Sequence, residues 1–233
     1  LSNSTVLEIG PGPGSLTRSI LDAGVKKLIV VEKDERCLEL LNEFKDFYGD
    51  RIEVINGDAL EYKVAEDVKI ISNLPYNIGT VLLFNWLKDT SKIASIHLML
   101  QKEVVQRITA KPGDNHYGRL AVMVNFLCKT KMVFEVSRHV FTPPPKVTSA
   151  IVEIIPREKP LCDVEFSKLE KVVAAAFNQR RKMLKSSLKA IFPDPEKILL
   201  DCEIRPDLRP ENLTIEEFCR ISAQCSVPSA QRL

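Results

Sequence analysis

The 233-residue sequence has no apolar run approaching the roughly 20 residues that a membrane-spanning helix requires. Its first residues also lack the basic-then-apolar layout of a secretory leader. A soluble, globular chain is expected. The six cysteines, at 37, 128, 162, 202, 219 and 225, include no CxxC pair and no zinc-ligand spacing. They read as reduced, mostly packed thiols of a cytosol-like, cytoplasmic compartment. His97, His116 and His139 show no ligand spacing, and there is no internal repeat or low-complexity tract. A net charge of only +2 gives no global attraction to a polyanion, although the charge is unevenly spread.

What is present suffices for a sizeable core: 45% of residues are hydrophobic and 27% charged. Short apolar runs predict strands over 5–9, 26–31, 51–56, 68–72, 95–100, 132–136 and 147–155. Helical patterns lie over 15–23, 34–47, 80–87, 101–109 and up to 127. Strands alternate with helices and finish in what resembles an antiparallel pair. The expected fold is therefore α/β, a doubly wound, mostly parallel, Rossmann-like sheet of seven strands. After Pro156 the strand patterns stop and helices punctuated by prolines take over, so residues 1–157 are read as one domain and 158–233 as a smaller all-α domain. One helix is expected from Lys168 to Ile191, with an apolar stripe interrupted by Arg180.

In an open α/β sheet a ligand sits at the carboxyl ends of the strands. Gly10, Glu32, Asp58 and Asn73 all fall at or just beyond the ends of the first four predicted strands. The loop Gly10-Pro11-Gly12-Pro13-Gly14 lets a ligand approach the backbone, and the helix after it aims free N–H groups at an anion. A dinucleotide site asks for G-x-G-x-x-G, whereas here the glycines are spaced G-x-G-x-G with Glu8 two residues before them. That arrangement favours S-adenosylmethionine (SAM), whose methionyl end carries an ammonium and a sulfonium, over a nicotinamide cofactor. Glu32 suits the two ribose hydroxyls, and Asp58 an adenine amino group.

Asn73-Leu74-Pro75-Tyr76 offers an amide oxygen, a backbone carbonyl and an aromatic face, with Pro75 restricting the Leu74 backbone. The same pattern after a strand also makes an ordinary turn. Between Lys168 and Lys189 lie seven basic residues (168, 171, 180, 181, 182, 185 and 189) against one acid, Glu170. Such an excess suits a polyanion or a merely solvated helix.

Together with Glu8-Ile9-Gly10-Pro11-Gly12, Gln101-Lys102-Glu103-Val104, Tyr117-Gly118-Arg119-Leu120, Phe141-Thr142-Pro143-Pro144-Pro145-Lys146-Val147 and Phe177-Asn178-Gln179-Arg180-Arg181-Lys182, the Asn73 motif resembles the KsgA-type small-subunit ribosomal RNA adenine dimethyltransferases. The related erythromycin-resistance methyltransferases share the first half of the pattern. The resemblance implies a SAM-dependent methyltransferase that dimethylates N6 of two adjacent adenosines near the 3′ end of small-subunit rRNA, within an immature subunit, acting as a monomer and without a metal. It implies catalytic roles for Asn73, Leu74, Pro75, Tyr76 and Phe141, the last two stacking on the adenine. Cofactor binding falls to Glu8, Gly10, Gly12, Gly14, Glu32, Lys33, Asp58, Ala59 and Asn73, and RNA contact to Arg180, Arg181, Lys182 and Lys185.

The family also carries an N-terminal Gln-x-Phe-Leu segment that closes over SAM, whereas this sequence starts almost at the first strand. The chain is expected to fold yet to bind SAM weakly without that segment. A non-catalytic RNA-binding or transcription-factor-like relative is the competing expectation, against which the retained Glu8, Glu32, Asp58, Asn73 and Tyr76 argue.

Overall fold

The computed structural model describes residues 1–75, 78–141 and 144–225. The chain divides into two units. The first comprises Leu1–Val105 and Lys129–Pro156. Its strands are β1 (Thr5–Ile9), β2 (Lys27–Glu32), β3 (Ile52–Asn56), β4 (Val68–Asn73), β5 (Ile93–Gln101), β6 (Cys128–Val136) and β7 (Ser149–Pro156). Helices α1 (Ser15–Asp22), α2 (Glu35–Tyr48) and α3 (Gly79–Leu87) interleave with them, and α4 (Lys102–Thr109) follows β5 across the boundary between the units.

The sheet order is β3-β2-β1-β4-β5-β7-β6. The pairs β3–β2, β2–β1, β1–β4 and β4–β5 are parallel, whereas β7 runs antiparallel to β5. Strands β1 and β2 are near-continuous apolar runs, and Val6, Leu7, Leu28 and Val30 are wholly buried. Burial of successive residues means that both faces of the sheet are covered, as the crossover helices of a parallel sheet require. On one face Ile20 and Leu21 of α1 and Leu41 and Phe44 of α2 pack against Val6, Leu28 and Val30.

The order of sequential strands reverses between β1 and β4. There the two ladders part, leaving the crevice that such sheets use for ligands. The pairing recorded between these strands joins Val6 to Lys69 and Leu7 to Ile70. Two residues further on, the Ser72 hydroxyl donates to the buried carbonyl of Ile9 at 2.6 Å. A side chain thus stitches the strands at the mouth of the crevice.

The second unit comprises Gln106–Cys128 and the chain from Arg157 onward. It contains α5 (Arg119–Leu127), α6 (Phe166–Asn178), α7 (Leu184–Ser187), α8 (Pro195–Asp201) and α9 (Ile215–Ala223). Phe177 is its aromatic centre, with ring centroids 6.1 Å from Tyr117 and 5.7 Å from Phe218. The buried Tyr117 hydroxyl donates to the Leu213 carbonyl at 2.9 Å. Thr214 and Glu217 close the start of α9 with a reciprocal capping box.

Two expectations are corrected. Division by composition at residue 157 leaves 106–128 with the sheet, yet that segment groups with the C-terminal helices. Residues 120–124 of α5 are all buried, a helix apolar around most of its circumference. Such a helix needs cover on several sides, and its sequence does not say from which part of the chain. The segment after it is held to it by backbone bonds, Arg157 N–H to Leu127 O at 2.8 Å and Leu161 N–H to Phe126 O at 2.9 Å.

The single helix expected over 168–191 is broken. Helix α6 ends at Asn178, Gln179 leaves helical geometry at φ −125° and ψ 56°, and helix resumes only at Leu184. Arginine and lysine are good helix formers, so local propensity gives no stop signal. The break coincides with tertiary bonds of the Arg180 guanidinium, which donates to the Asn115 carbonyl at 2.7 Å and to Glu211 at 3.1 Å.

Candidate active site

Everything at the mouth of the crevice follows from where the parallel strands stop. Beyond β1 the Gly10 N–H continues the ladder to the Val31 carbonyl at 2.9 Å, after which the chain turns through Gly10, Gly12 and Gly14 at φ +61°, +55° and +87°. Side chains strain in this region, and Gly14 is constrained a second time. A Cβ there would lie 2.9 Å from the ring of Phe44. Phe44 therefore packs flush beneath the loop, and Gly14 caps α1 without a side chain.

Two acids meet this loop in different states. Glu32, the last residue of β2, has its carboxylate fixed by three backbone donors: Gly12 N–H at 3.1 Å, Lys33 N–H at 2.8 Å and Asp34 N–H at 3.0 Å. Of its roughly four lone-pair sites, about one remains open, on Oε2 beside Gly12. Glu8 is buried on β1, its Oε2 accepting the Thr17 hydroxyl at 2.7 Å. Burial pushes its pKa up to about 7, and the Thr17 bond offsets only part of that rise.

Asp58 lies just beyond β3. Its Oδ1 accepts the Leu60 N–H at 2.9 Å and its Oδ2 sits 3.5 Å from the Lys33 ammonium. The Leu60 bond chiefly, with Lys33 adding to it, holds this carboxyl below its ordinary range, so it stays an anionic acceptor. Ala59 follows it, half-buried.

Asn73 ends β4 opposite Met99 of β5, with its side chain exposed. Leu74 is 1% exposed, an apolar anchor that fixes the backbone on either side of it. Among the described residues its carbonyl accepts no backbone hydrogen bond. A Cβ on Gly10 would lie 3.5 Å from Cδ of Pro75, so the glycine loop and the Asn73 loop stand side by side. Tyr76 lies outside the described residues. Phe141 is half-buried, eight residues before β7. The register sets Asn73 beside Met99 and Met99 beside Ile151, close to the start of antiparallel β7. The segment entering β7 therefore emerges at the same end of the sheet as Asn73.

Of the expected residues, the first unit brings together Glu8, the three glycines, Glu32, Lys33, Asp58, Ala59 and Asn73 to Pro75. The basic residues belong to the second unit and differ in availability. Arg180 is tied to Asn115 and Glu211, and Lys185 lies 3.6 Å from Glu196. Arg181 and Lys182 are exposed with no side-chain partner among the described residues. We expect Arg180→Ala to lower the stability of the second unit by about 1–2 kcal/mol, through loss of a charge-assisted bond and an ion pair, in chemical denaturation. Arg181→Ala with Lys182→Ala should leave that stability unchanged.

Sequence reading missed Thr17, Ser72 and Phe44, which support the site without facing a ligand. Hydroxyls at positions 17 and 72 carry no spacing that ties them to Glu8 or Ile9. Among the described residues no group of three or more His, Cys, Asp or Glu side chains is placed to hold a metal ion.

Comparison with known proteins bears on this geometry. The model of the ribosomal RNA adenine dimethylase family matches residues 2–226. The ribosomal RNA small subunit methyltransferase A of Allorhizobium ampelinum is 51% identical over 230 residues, which cover 95% of this chain and 82% of that protein. Its namesake from Paramagnetospirillum magneticum is 45% identical over 226 residues, covering 95% of this chain and 80% of its own length. Among solved structures, a dimethyladenosine transferase from Plasmodium falciparum superposes with a TM-score of 0.83 at 29% identity, covering 94% of this chain and 89% of its own. The 23S rRNA methyltransferase ErmE superposes at 0.73 with 28% identity, covering 96% and 91%. A match of this extent, over a chain whose glycine loop abuts an Asn-Leu-Pro strand end, places the protein in the ribosomal RNA adenine dimethylase family.

Proposed function

We propose that this chain transfers methyl groups from SAM to the exocyclic N6 of two adjacent adenosines near the 3′ end of small-subunit rRNA. The product is N6,N6-dimethyladenosine, formed in the cytoplasm by a monomer acting on an immature ribosomal subunit. The observation that carries this reading is the abutment of the glycine loop, with its strand-end carboxylates, against Asn73-Leu74-Pro75. No helix of the described chain is long and apolar enough to cross a membrane, and the six cysteines are free thiols.

The residues at the crevice fit SAM. Positive-φ glycines let a ligand lie against the backbone, Glu32 keeps an acceptor site beside Gly12 for a ribose hydroxyl, and ionised Asp58 suits an adenine amino group. Glu8 lies at the methionyl end, where a cation favours its charged form. When bound, SAM supplies an activated methyl group on a sulfonium.

The protein's own task is to present a poor nucleophile. The N6 lone pair is delocalised into the adenine ring. Hydrogen bonds from the amine to the Asn73 side-chain oxygen and the Leu74 carbonyl favour a pyramidal, more reactive nitrogen. Leu74, anchored in the core, holds both acceptors in place. Positioning of this kind can supply several kcal/mol of the barrier. The target base must leave its stack to reach the site. Phe141 on one face, with Tyr76 on the other, would contribute on the order of 1–3 kcal/mol each. Arg181 and Lys182 would meet phosphates without reading sequence.

The test is incubation of the chain with immature small subunits and isotopically labelled SAM at saturating concentration, followed by nucleoside analysis of the rRNA. Label in N6,N6-dimethyladenosine at two neighbouring positions is the expected result. Absence of label in adenosine removes the reading.

A further inference from the structure

Helices α1 and α2 leave a surface groove of about 350 Å³ between them, lined by Arg18, Glu43, Phe44, Phe47 and Tyr48. Phe44 and Tyr48 are stacked with ring centroids 6.1 Å apart, and Phe44 is also the ring that meets Gly14. Phe47 is 86% exposed, more than any other large apolar side chain among the described residues. Leu40, seven residues earlier and so on the same face of α2, is 44% exposed. A lone exposed apolar residue is ordinary. Two on one stripe that runs into an aromatic groove make a continuous apolar surface, the kind that marks an interaction site.

The charges around the groove decide what it can hold. Glu43 lies between Leu40 and Phe47 on the helix surface, with Glu39 and Asp46 about a turn to either side. All three are exposed and have no side-chain partner among the described residues. Arg36, on the same face, is taken by Asp34 at 2.7 Å. From Asp34 to Asp50 there are six acids (34, 35, 39, 43, 46 and 50) against two bases, Arg36 and Lys45. Across the groove on α1, Arg18 lies 5.7 Å from the Phe44 ring centroid, and Asp22 accepts the Tyr48 hydroxyl at 2.7 Å. Arg51 is held by the Leu21 and Val25 carbonyls at 2.6 and 3.3 Å. The balance is negative, which repels RNA phosphates. An isologous pair of copies would set the acidic stripe against its own image. A cationic segment is attracted, and an exposed phenyl face flanked by carboxylates takes Lys or Arg.

We propose that the α1–α2 groove docks a Lys/Arg-rich amphipathic segment of another protein, with an apolar side chain entering beside Phe44 and Phe47 while its cations meet Glu39, Glu43 and Asp46. Recognition of this kind draws affinity from the apolar anchors and orientation from the flanking charge. Proteins bound to RNA carry such basic segments, because they neutralise phosphates. For its source the inference rests on the methyl-transfer reading: the partner is a protein of the small subunit on which the target adenosines lie.

Two variants of the whole chain are compared with the wild type, Leu40→Gln with Phe47→Ser, and Glu39→Gln with Glu43→Gln and Asp46→Asn. Affinity is measured for isolated small ribosomal subunits and for protein-free small-subunit rRNA. Both variants should bind subunits more weakly by about tenfold or more, the scale of one lost interface anchor, and protein-free rRNA no more weakly than the wild type. The replaced side chains are all exposed, so SAM binding and Trp86 fluorescence melting should not change. Wild-type affinity for subunits in either variant would overturn the docking site. So would an equal loss on protein-free rRNA, which makes the groove an RNA contact, or a wild-type dimer in sedimentation that Phe47→Ser dissolves, which makes the occupant a second copy. A wild-type chain that binds no subunits removes the partner as well. Groove-dependent binding to subunits without methylation of any adenosine would instead sink the methyl-transfer reading alone.

Discussion

Asn73→Ala should lower the rate of methyl transfer by on the order of 10²- to 10³-fold, the range found when one preorganised hydrogen-bond partner is removed from an active site. The side chain is exposed at the end of β4 and its neighbour Leu74 is locked in the core, so truncation removes an acceptor without opening a cavity. The melting temperature should hardly move. Asn73 also stands beside the glycine loop proposed to hold SAM, so some loss of SAM affinity is expected, and the two effects separate kinetically. Loss of the N6 acceptor appears in kcat at saturating SAM, whereas loss of a cofactor contact appears in KM for SAM. A variant with wild-type kcat would remove Asn73 from the chemistry and leave the Leu74 carbonyl to account for it.

Glu8→Gln should stabilise the ligand-free protein at alkaline pH, by about 3 kcal/mol at pH 8. The figure follows from a carboxyl whose pKa is held at about 7 in the fold against an ordinary 4.5. Below pH 4.5 the folded and unfolded chains both keep the proton, and Glu8 costs nothing through ionisation. Between 4.5 and 7 the unfolded chain gives up its proton while the folded chain retains it, so stability falls as pH rises. Above 7 the cost is complete. Glutamine titrates nowhere in this range, and its amide can still pair with Thr17. The stability gap between variant and wild type should therefore be near zero at pH 4 and grow through pH 7. Urea denaturation followed by the fluorescence of Trp86, the sole tryptophan and a residue of the sheet-containing unit, reads out the relevant part of the chain. A gap that stays constant from pH 5 to pH 8 would show that burial does not hold the proton on Glu8.

On the proposed reading this destabilising acid serves cofactor binding. A cation at the methionyl end of SAM draws the Glu8 pKa down, so cofactor binding should release a proton near neutral pH and tighten as pH rises through 7. Calorimetry in buffers of different ionisation enthalpy detects that proton, and Glu8→Gln should abolish the buffer dependence.

What the residues made legible and what they hid divide along the range of the interactions. Strands β1 to β5 are short apolar runs bounded by turn residues, and Glu32 and Asn73 close such runs, with Asp58 just beyond one. Their convergence followed from parallel topology alone. The Glu32 carboxylate was legible as a strand-end acceptor, but not its prior engagement by Gly12, Lys33 and Asp34, because that depends on the fold of a loop with three residues at positive φ. The break after Asn178 was illegible for the opposite reason. Local propensity favours helix through Arg180, Arg181 and Lys182, and bonds to Asn115 and Glu211, remote in sequence, coincide with its interruption. Likewise nothing within 106–128 marks its association with helices that begin forty residues later.

The Ser72–Ile9 bond bears on how the site tolerates sequence drift. At the mouth of the crevice the recorded link between the glycine-loop strand and the Asn73 strand is one hydroxyl rather than a repeating ladder. Ladder spacing is insensitive to side-chain identity, whereas a stitch is not. Alanine at 72 would strand a buried carbonyl, and a bulkier residue would wedge the strands apart. A methyl group in flight crosses a gap of a few ångströms in line. On the proposed methyl-transfer reading this serine is a gauge block, a part that touches neither reactant yet sets the clearance between them.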